Sequence, residues 1–347
     1  MQSLFIMSSE RSGSNLLRMM LGAHSRLAAP PPPHMWRHLT EALPRYAPLT
    51  NEKNFRGLVE DAVMMTQRSY AHLNWKYEFD PGQILNRCST RTLGSVITSL
   101  YDAYSDREDA EGWICKENNL FDHAHQIREC LPNAQFIYLY RDGRDVTCSI
   151  QDMPTHGQHV YTIAEEWKEQ QDKCIRVHQE ILPPNDITTI RYENLIEEPG
   201  ECIQEICNFA GIEYEKRMLY FHETEEAAQQ AKKSQYWENL SQPVMSGNKG
   251  NFHEELSRRE VQIFEAVAGG RLDLLGYPLT TSPEARRLPL WKEAFYRAQN
   301  AVQSLLKRRE LADWDGREER KATLNKIHNR SRSDHSPSFA PPLTYER

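Results

Sequence analysis

The chain contains no window of about 18 consecutive apolar residues, so a membrane-spanning helix is not expected. The opening Met1-Gln2-Ser3-Leu4-Phe5-Ile6-Met7 has neither a charged n-region nor a long apolar stretch, which speaks against a secretory signal. Cysteine occurs seven times, an odd number, and never as C-x-x-C. That usage fits reduced core thiols in a cytoplasmic protein and no zinc site. An excess of positive charge is missing too: 42 Lys+Arg stand against 49 Asp+Glu, a net of −7. The shortfall is uneven. Residues 286–347 carry 14 basic and 8 acidic side chains, a net of +6, and the rest of the chain is left at −13. An acidic body argues against nucleic acid or another polyanion as partner and favours a small neutral or cationic one. Internal repeats are absent as well.

What is present suffices for a large core: 39% hydrophobic and 10% aromatic residues over 347 positions. This excludes wholesale disorder and suits one large α/β domain with an insertion. Leu4–Met7 reads as a strand, residues 8–15 as a small-residue turn, and Leu16–Leu21 as a helix. The run Pro30–Pro33 must be extended. Residues 52–73 and 90–105 follow a helical period, so 35–112 reads as a helical insertion without a strand. Strand patterns return at 135–140 and 187–190, with helices at 162–182 and about 200–210. Strands alternating with helices imply a parallel sheet covered on both faces. The expected domain runs over 1–283. An amphipathic helix in 284–312 follows, suited to packing on the acidic body or to a homo-oligomer contact. From 313 to 347 the chain is polar, as a mobile tail is.

The turn after the first strand directs backbone N–H groups at one point, and the helix N-terminus adds partial positive charge there. Ser12, Gly13, Ser14 and Asn15 fit a phosphate or sulfate site, although an ordinary tight turn would use the same residues. The ATP-binding loop G-x-x-x-x-G-K-[ST] is not matched, since no Lys follows Gly13 and the only nearby cation is Arg11, before the turn. A second strand, 136–140, ends in Arg141, and Ser149 follows two helical turns later. Ligand sites of open α/β sheets lie beyond such strand ends.

These segments together resemble the sulfotransferases that use 3′-phosphoadenosine 5′-phosphosulfate (PAPS). Arg11-Ser12-Gly13-Ser14-Asn15-Leu16-Leu17 with His24 is similar to that family's phosphosulfate loop. Tyr138–Val146 with Ser149 is similar to its 3′-phosphate motif. Trp113–Asn118, Arg191–Leu195 and Lys249-Gly250-Asn251-Phe252 follow in the family's order. Arg11, where the cytosolic phenol type has Lys, places the resemblance nearer the bacterial, tyrosylprotein and polyketide-associated branch. The resemblance implies a P-loop-like α/β fold. It assigns the 5′-phosphosulfate to Arg11, Ser12, Gly13, Ser14 and Asn15, and the 3′-phosphate to Arg141 and Ser149. Lys116 falls near the transferred group, and Lys249 with Gly250 in a loop over the nucleotide. Tyr192 serves the adenine or locks the strand end, and Trp113 stacks on adenine or is core. The implied product is adenosine 3′,5′-bisphosphate, and no metal is needed if basic side chains take magnesium's part.

The acceptor hydroxyl needs a base. Where the family often has Glu, this chain has its proline run, which leaves His34 as the expected base, with His38, Glu41 and Glu117 as other candidates. The aromatics of 35–112 (Trp36, Tyr46, Phe55, Tyr70, Trp75, Tyr77, Phe79) either line an acceptor pocket or form that layer's core. Two further readings stay open: a P-loop kinase of a small metabolite, with Asp142 on magnesium, and a catalytically silent nucleotide-binding protein.

Overall fold

A computed structural model of the chain describes residues 2–68, 74–151, 153, 158–233, 239–310 and 317–329. The first unit is β1 (Gln2–Ser8), α1 (Ser14–Gly22) and the short β2 (Leu27–Ala28). A helical layer follows: α2 (Met35–Ala42), α3 (Glu52–Gln67), α4 (Pro81–Arg87) and α5 (Leu93–Arg107). The sheet resumes with β3 (Gly112–Lys116), α6 (Ala124–Cys130), β4 (Gln135–Tyr140), α7 (Gly143–Gln151), α8 (Val160–Arg176) and β5 (Ile187–Arg191). Helices complete the chain: α9 (Tyr192–Glu197), α10 (Pro199–Ala210), α11 (Glu225–Lys233), α12 (Phe252–Glu255), α13 (Arg258–Leu274), α14 (Leu290–Glu310) and α15 (Arg317–His328).

The five strands form one parallel sheet in the order β2-β3-β1-β4-β5. Because successive side chains point to opposite faces, β1 feeds two cores. Leu4 and Ile6 pack with Ile114, Ile137 and Leu139 against α1, α9 and α10. Phe5 and Met7 pack with Trp113, Phe136 and Tyr138 against the helical layer. A sheet buried on both faces explains why the strands read as apolar runs rather than alternations. β1 lies between β3 and β4, so the loops leaving β1 and β4 meet at one crevice, where strand order reverses.

The insertion is helical as expected, although the expected helix 52–73 ends at Gln67, and 69–73, including Tyr70, lie outside the described residues. Trp36, Tyr46, Phe55 and Trp75 are at most 4% exposed and belong to the core of that layer. The strand Gly112–Lys116 borders the insertion, and the sequence reading did not identify it as a strand. α14 packs on α8, with Tyr296 buried and Asn300 accepting the His159 N–H at 2.9 Å. Within the stretch expected to be a mobile tail, 317–328 form the helix α15, while 313–316 and 330–347 lie outside the described residues. This helix packs on α2 and α3, and its Ile327 is fully buried in their cluster. Among the described residues no helix is long and apolar enough to cross a membrane.

Candidate active site

Two loops build one half of the candidate site. Arg11 and Gly13 both adopt left-handed backbone, with φ of 60° and 88°. A Cβ at Gly13 would come within 2.4 Å of the Tyr192 ring, so only glycine allows this approach. Gly13 is the N-cap of α1 and no side chain caps it, which leaves the first N–H groups of the helix open to an anion. Ser12 is fully buried and its hydroxyl lies 2.7 Å from that of Ser9.

The end of β4 supplies the second loop. Arg141, 5% exposed, donates from Nη1 to the Arg11 carbonyl at 3.1 Å and from Nη2 to the Asn248 carbonyl at 3.2 Å. Its guanidinium lies 4.4 Å from the centre of the Tyr192 ring. Arg11 in turn donates from Nε to the Ser149 hydroxyl at 2.9 Å. The structure therefore brings Arg11, Ser12, Gly13, Ser14, Asn15, Arg141, Ser149 and Tyr192 to one crevice. Two buried polar atoms there, Arg141 Nε and Asn15 Oδ1, have no hydrogen-bond partner. The Arg141 Nε–H is costly unless an acceptor meets it, while Asn15 Oδ1 wants a donor; the donor set of guanidinium, hydroxyls and helix amides suits a phosphate or sulfate group.

Tyr192 takes a structural part, its ring wedged between Gly13 and Arg141 while its hydroxyl accepts from Asn248 Nδ2 at 2.9 Å. Glu193 ties the strand ends together, accepting from the Asp142 amide at 3.0 Å and the Tyr277 hydroxyl at 2.8 Å. Gly250, at φ 71°, donates its N–H to Asp145 at 2.6 Å, which fastens the loop above Arg141. Lys249, next to Asn248, pairs with Glu197 at the surface. Trp113 is core, 1% exposed, with its indole N–H on Asp102 at 2.7 Å.

The second half of the site lies at the end of β3. Lys116, 8% exposed, donates to Asn118 Oδ1 at 3.1 Å, and Asn118 donates to Glu10 at 2.6 Å. Burial brings the Lys116 pKa down to about 8, against the pull of Glu10, with Arg18 and Arg11 pushing the same way as burial. Glu117 is 2% exposed and caps α2, accepting the Met35 and Trp36 amides at 2.9 and 3.0 Å. Burial raises its pKa to about 7 in spite of those two bonds. His34 precedes α2 in left-handed backbone, φ 61°, a conformation that β-carbon-bearing residues adopt only under constraint. Burial, with Lys116 and Arg320 next in effect, holds its imidazole well below the usual range, so it is neutral at pH 7.

His24 is buried and bonds Glu213 O at 2.9 Å, fixing the end of α1 to the segment after α10. Asp142 is committed to Arg144, which holds it at 3.0 and 2.7 Å. Among the described residues, His38, Glu41 and His328 form the one group whose donor atoms approach metal-ligand spacing, within 4.8 Å of each other. Arg320 on His38 at 3.2 Å and Arg37 on Glu41 at 3.7 Å place two cations there, which oppose a metal ion. The sequence alone does not reveal the Lys116–Asn118–Glu10 relay or the contact of Asn248 with Arg141, because both join segments more than 100 residues apart.

A model of the sulfotransferase family matches residues 3–216. A putative protein-tyrosine sulfotransferase of Caenorhabditis briggsae is 31% identical over 107 residues, 28% of this chain and 36% of that protein. An uncharacterized protein of Aquifex aeolicus is 29% identical over 228 residues, 64% of this chain and 27% of that protein. The matches thus span about a third and about a quarter of these relatives' own lengths. Among solved structures, the sulfotransferase domain of the Synechococcus PCC 7002 olefin synthase is similar at TM-score 0.49 and 17% identity, covering 77% of this chain and 94% of that one. The sulfotransferase domain of the curacin biosynthetic pathway gives 0.45 and 18%, covering 86% and 97%.

Proposed function

Since the chain belongs to the sulfotransferase family, we propose that it moves the sulfuryl group of PAPS to a hydroxyl or amine of a small-molecule acceptor. The observation that carries this reading is the crevice in which Arg141 grips the Arg11 carbonyl, Arg11 grips Ser149, and the buried Arg141 Nε is left unpartnered. Arg141 and Ser149 hold the 3′-phosphate. Arg11, the hydroxyls of Ser12 and Ser14, and the open amides of α1 hold the 5′-phosphosulfate, with Asn15 beside them. The donor supplies the sulfuryl group, whose S–O bond to the bisphosphate breaks as the acceptor oxygen bonds to sulfur.

By analogy with phosphoryl transfer, the protein's contribution is positioning and charge stabilisation. Lys116, held by Asn118 and still largely protonated at neutral pH with a pKa of about 8, stabilises the oxygens that gain charge. His34 takes the acceptor's proton, and burial, with the surrounding cations second, keeps it unprotonated and ready. Glu117 is a second candidate base, favoured by its pKa of about 7 and disfavoured by the two amides that occupy its oxygens. Lys116, Arg320 and Arg37 around His34 reverse the average charge of the body, so a neutral acceptor suits this corner better than a cationic one. Metal-free transfer follows from these cations taking magnesium's part, and a kinase reading meets the difficulty that Asp142 is held by Arg144. Seven unpaired cysteines, five of them buried, support a cytoplasmic setting.

The reading is tested by His34→Ala: binding of adenosine 3′,5′-bisphosphate is retained, and transfer from labelled PAPS to acceptors is abolished. Retained transfer would move the base to Glu117.

A further inference from the structure

One helical turn beyond His34 on α2 lies His38, and the side chain that touches it comes from the far end of the sequence. α15 packs on α2 and α3, with Arg320, Thr323 and Ile327 exposed by only 7%, 4% and 0%. Arg320 Nη2 lies 3.2 Å from His38 Nε2. A guanidinium can only donate, so Nε2 accepts and the ring proton sits on Nδ1. A doubly protonated ring would set donor against donor. Burial, followed by the charges of Arg320, Arg37 and His328, brings the His38 pKa to about 3, which keeps the ring neutral. Its Nδ1 is itself buried and has no hydrogen-bond partner. A buried donor of this kind is costly unless an oxygen meets it, and the Glu41 carboxylate, although within 4.8 Å of the ring, makes no hydrogen bond to it.

We propose that α15 forms a wall of the acceptor side of the site, and that Arg320 is a positioning residue. It fixes His38 as the Nδ1–H tautomer, which presents a buried donor, one turn from His34, to an oxygen of the bound acceptor. The inference rests on the reading of His34 as the acceptor-side base. It extends the site beyond residue 216, where the match to the sulfotransferase family model ends.

The test uses the full chain labelled with 15N-histidine, with the His38 signals assigned by their loss in His38→Asn. The wild type shows the Nδ1–H pattern at His38, Arg320→Met shifts it toward Nε2–H, and Arg320→Lys restores it. Thermal stabilisation by adenosine 3′,5′-bisphosphate is the same in all three, so a failure of the nucleotide reading is seen separately. With PAPS and 4-nitrophenol as the probe acceptor, Arg320→Met raises KM about tenfold more than it lowers kcat, and Arg320→Lys recovers most of the loss. A wild-type His38 in the Nε2–H form overturns the proposal, as does an Nδ1–H signal that survives Arg320→Met. A KM that Arg320→Met leaves unchanged overturns the acceptor-side placement even where the tautomer is as stated.

Discussion

Replacing Glu117 by glutamine should alter how stability depends on pH. The carboxyl is 2% exposed, and its two oxygens accept the Met35 and Trp36 amides. Those bonds, with Arg320 and Lys116 nearby, favour the charged form, yet burial outweighs them and raises the pKa from 4.5 to about 7. At 1.36 kcal/mol per pKa unit the rise corresponds to about 3 kcal/mol. The folded state binds this proton more tightly than the unfolded one. The stabilising contribution is therefore complete below pH 4.5 and is lost as pH rises through 7. Glutamine carries no such proton. Urea unfolding of both proteins at steps between about pH 4 and pH 8 should show their stability difference moving toward Glu117→Gln by about 3 kcal/mol. The slope, rather than the offset, carries the prediction, because glutamine also turns one acceptor into a donor facing an amide, at a constant cost of about 1–3 kcal/mol. A difference that stays flat would refute the reasoning. One that moves the other way would mean the α2 amides and Lys116 hold the group ionised.

Arg141→Ala should weaken adenosine 3′,5′-bisphosphate binding by about 10- to 100-fold, the loss of one or two charge-assisted bonds, and leave the fold intact; calorimetric titration checks it. Unchanged affinity would remove Arg141 from the nucleotide site. Gly13→Ala meets both a φ of 88° and a Tyr192 ring 2.4 Å from the new Cβ, so it should cost about 1–3 kcal/mol in stability and abolish bisphosphate binding. Wild-type binding by that variant would show that the loop does not need its left-handed turn.

The sheet strands that carry the two candidate loops were legible because they are short apolar runs ending in polar turns: Leu4–Met7 and Phe136–Tyr140 lie within β1 and β4. β3 was not. Its five residues, Gly-Trp-Ile-Cys-Lys, hold only three apolar side chains between a glycine and a lysine, too short a run to read alone, and register with β1, residues 2–6 on 112–116, makes them a strand. α15 was hidden by its own composition. A helix that docks through Arg320, Thr323 and one isoleucine looks like solvated tail until its partner surface is known. The site divides in the same way. Small residues and strand-end arginines can be read from local order, so Arg11–Asn15, Arg141 and Ser149 could be singled out as candidates, and the structure brings them together. The environment of the candidate bases His34 and Glu117 depends on burial and on Lys116 and Arg320, from two segments far from α2 in the sequence, and no spacing in the sequence reports it.

The central claim is that the crevice between β1 and β4 takes a 3′-phosphorylated adenosine nucleotide, and thermal unfolding with two ligands tests it most directly. A bound ligand stabilises the folded state by RT ln(1+[L]/Kd), about 2.7 kcal/mol at a hundredfold excess over Kd. Adenosine 3′,5′-bisphosphate without metal should raise the melting temperature by several degrees, and ATP with magnesium should leave it unchanged. Stabilisation by ATP with magnesium and none by the bisphosphate would contradict the account.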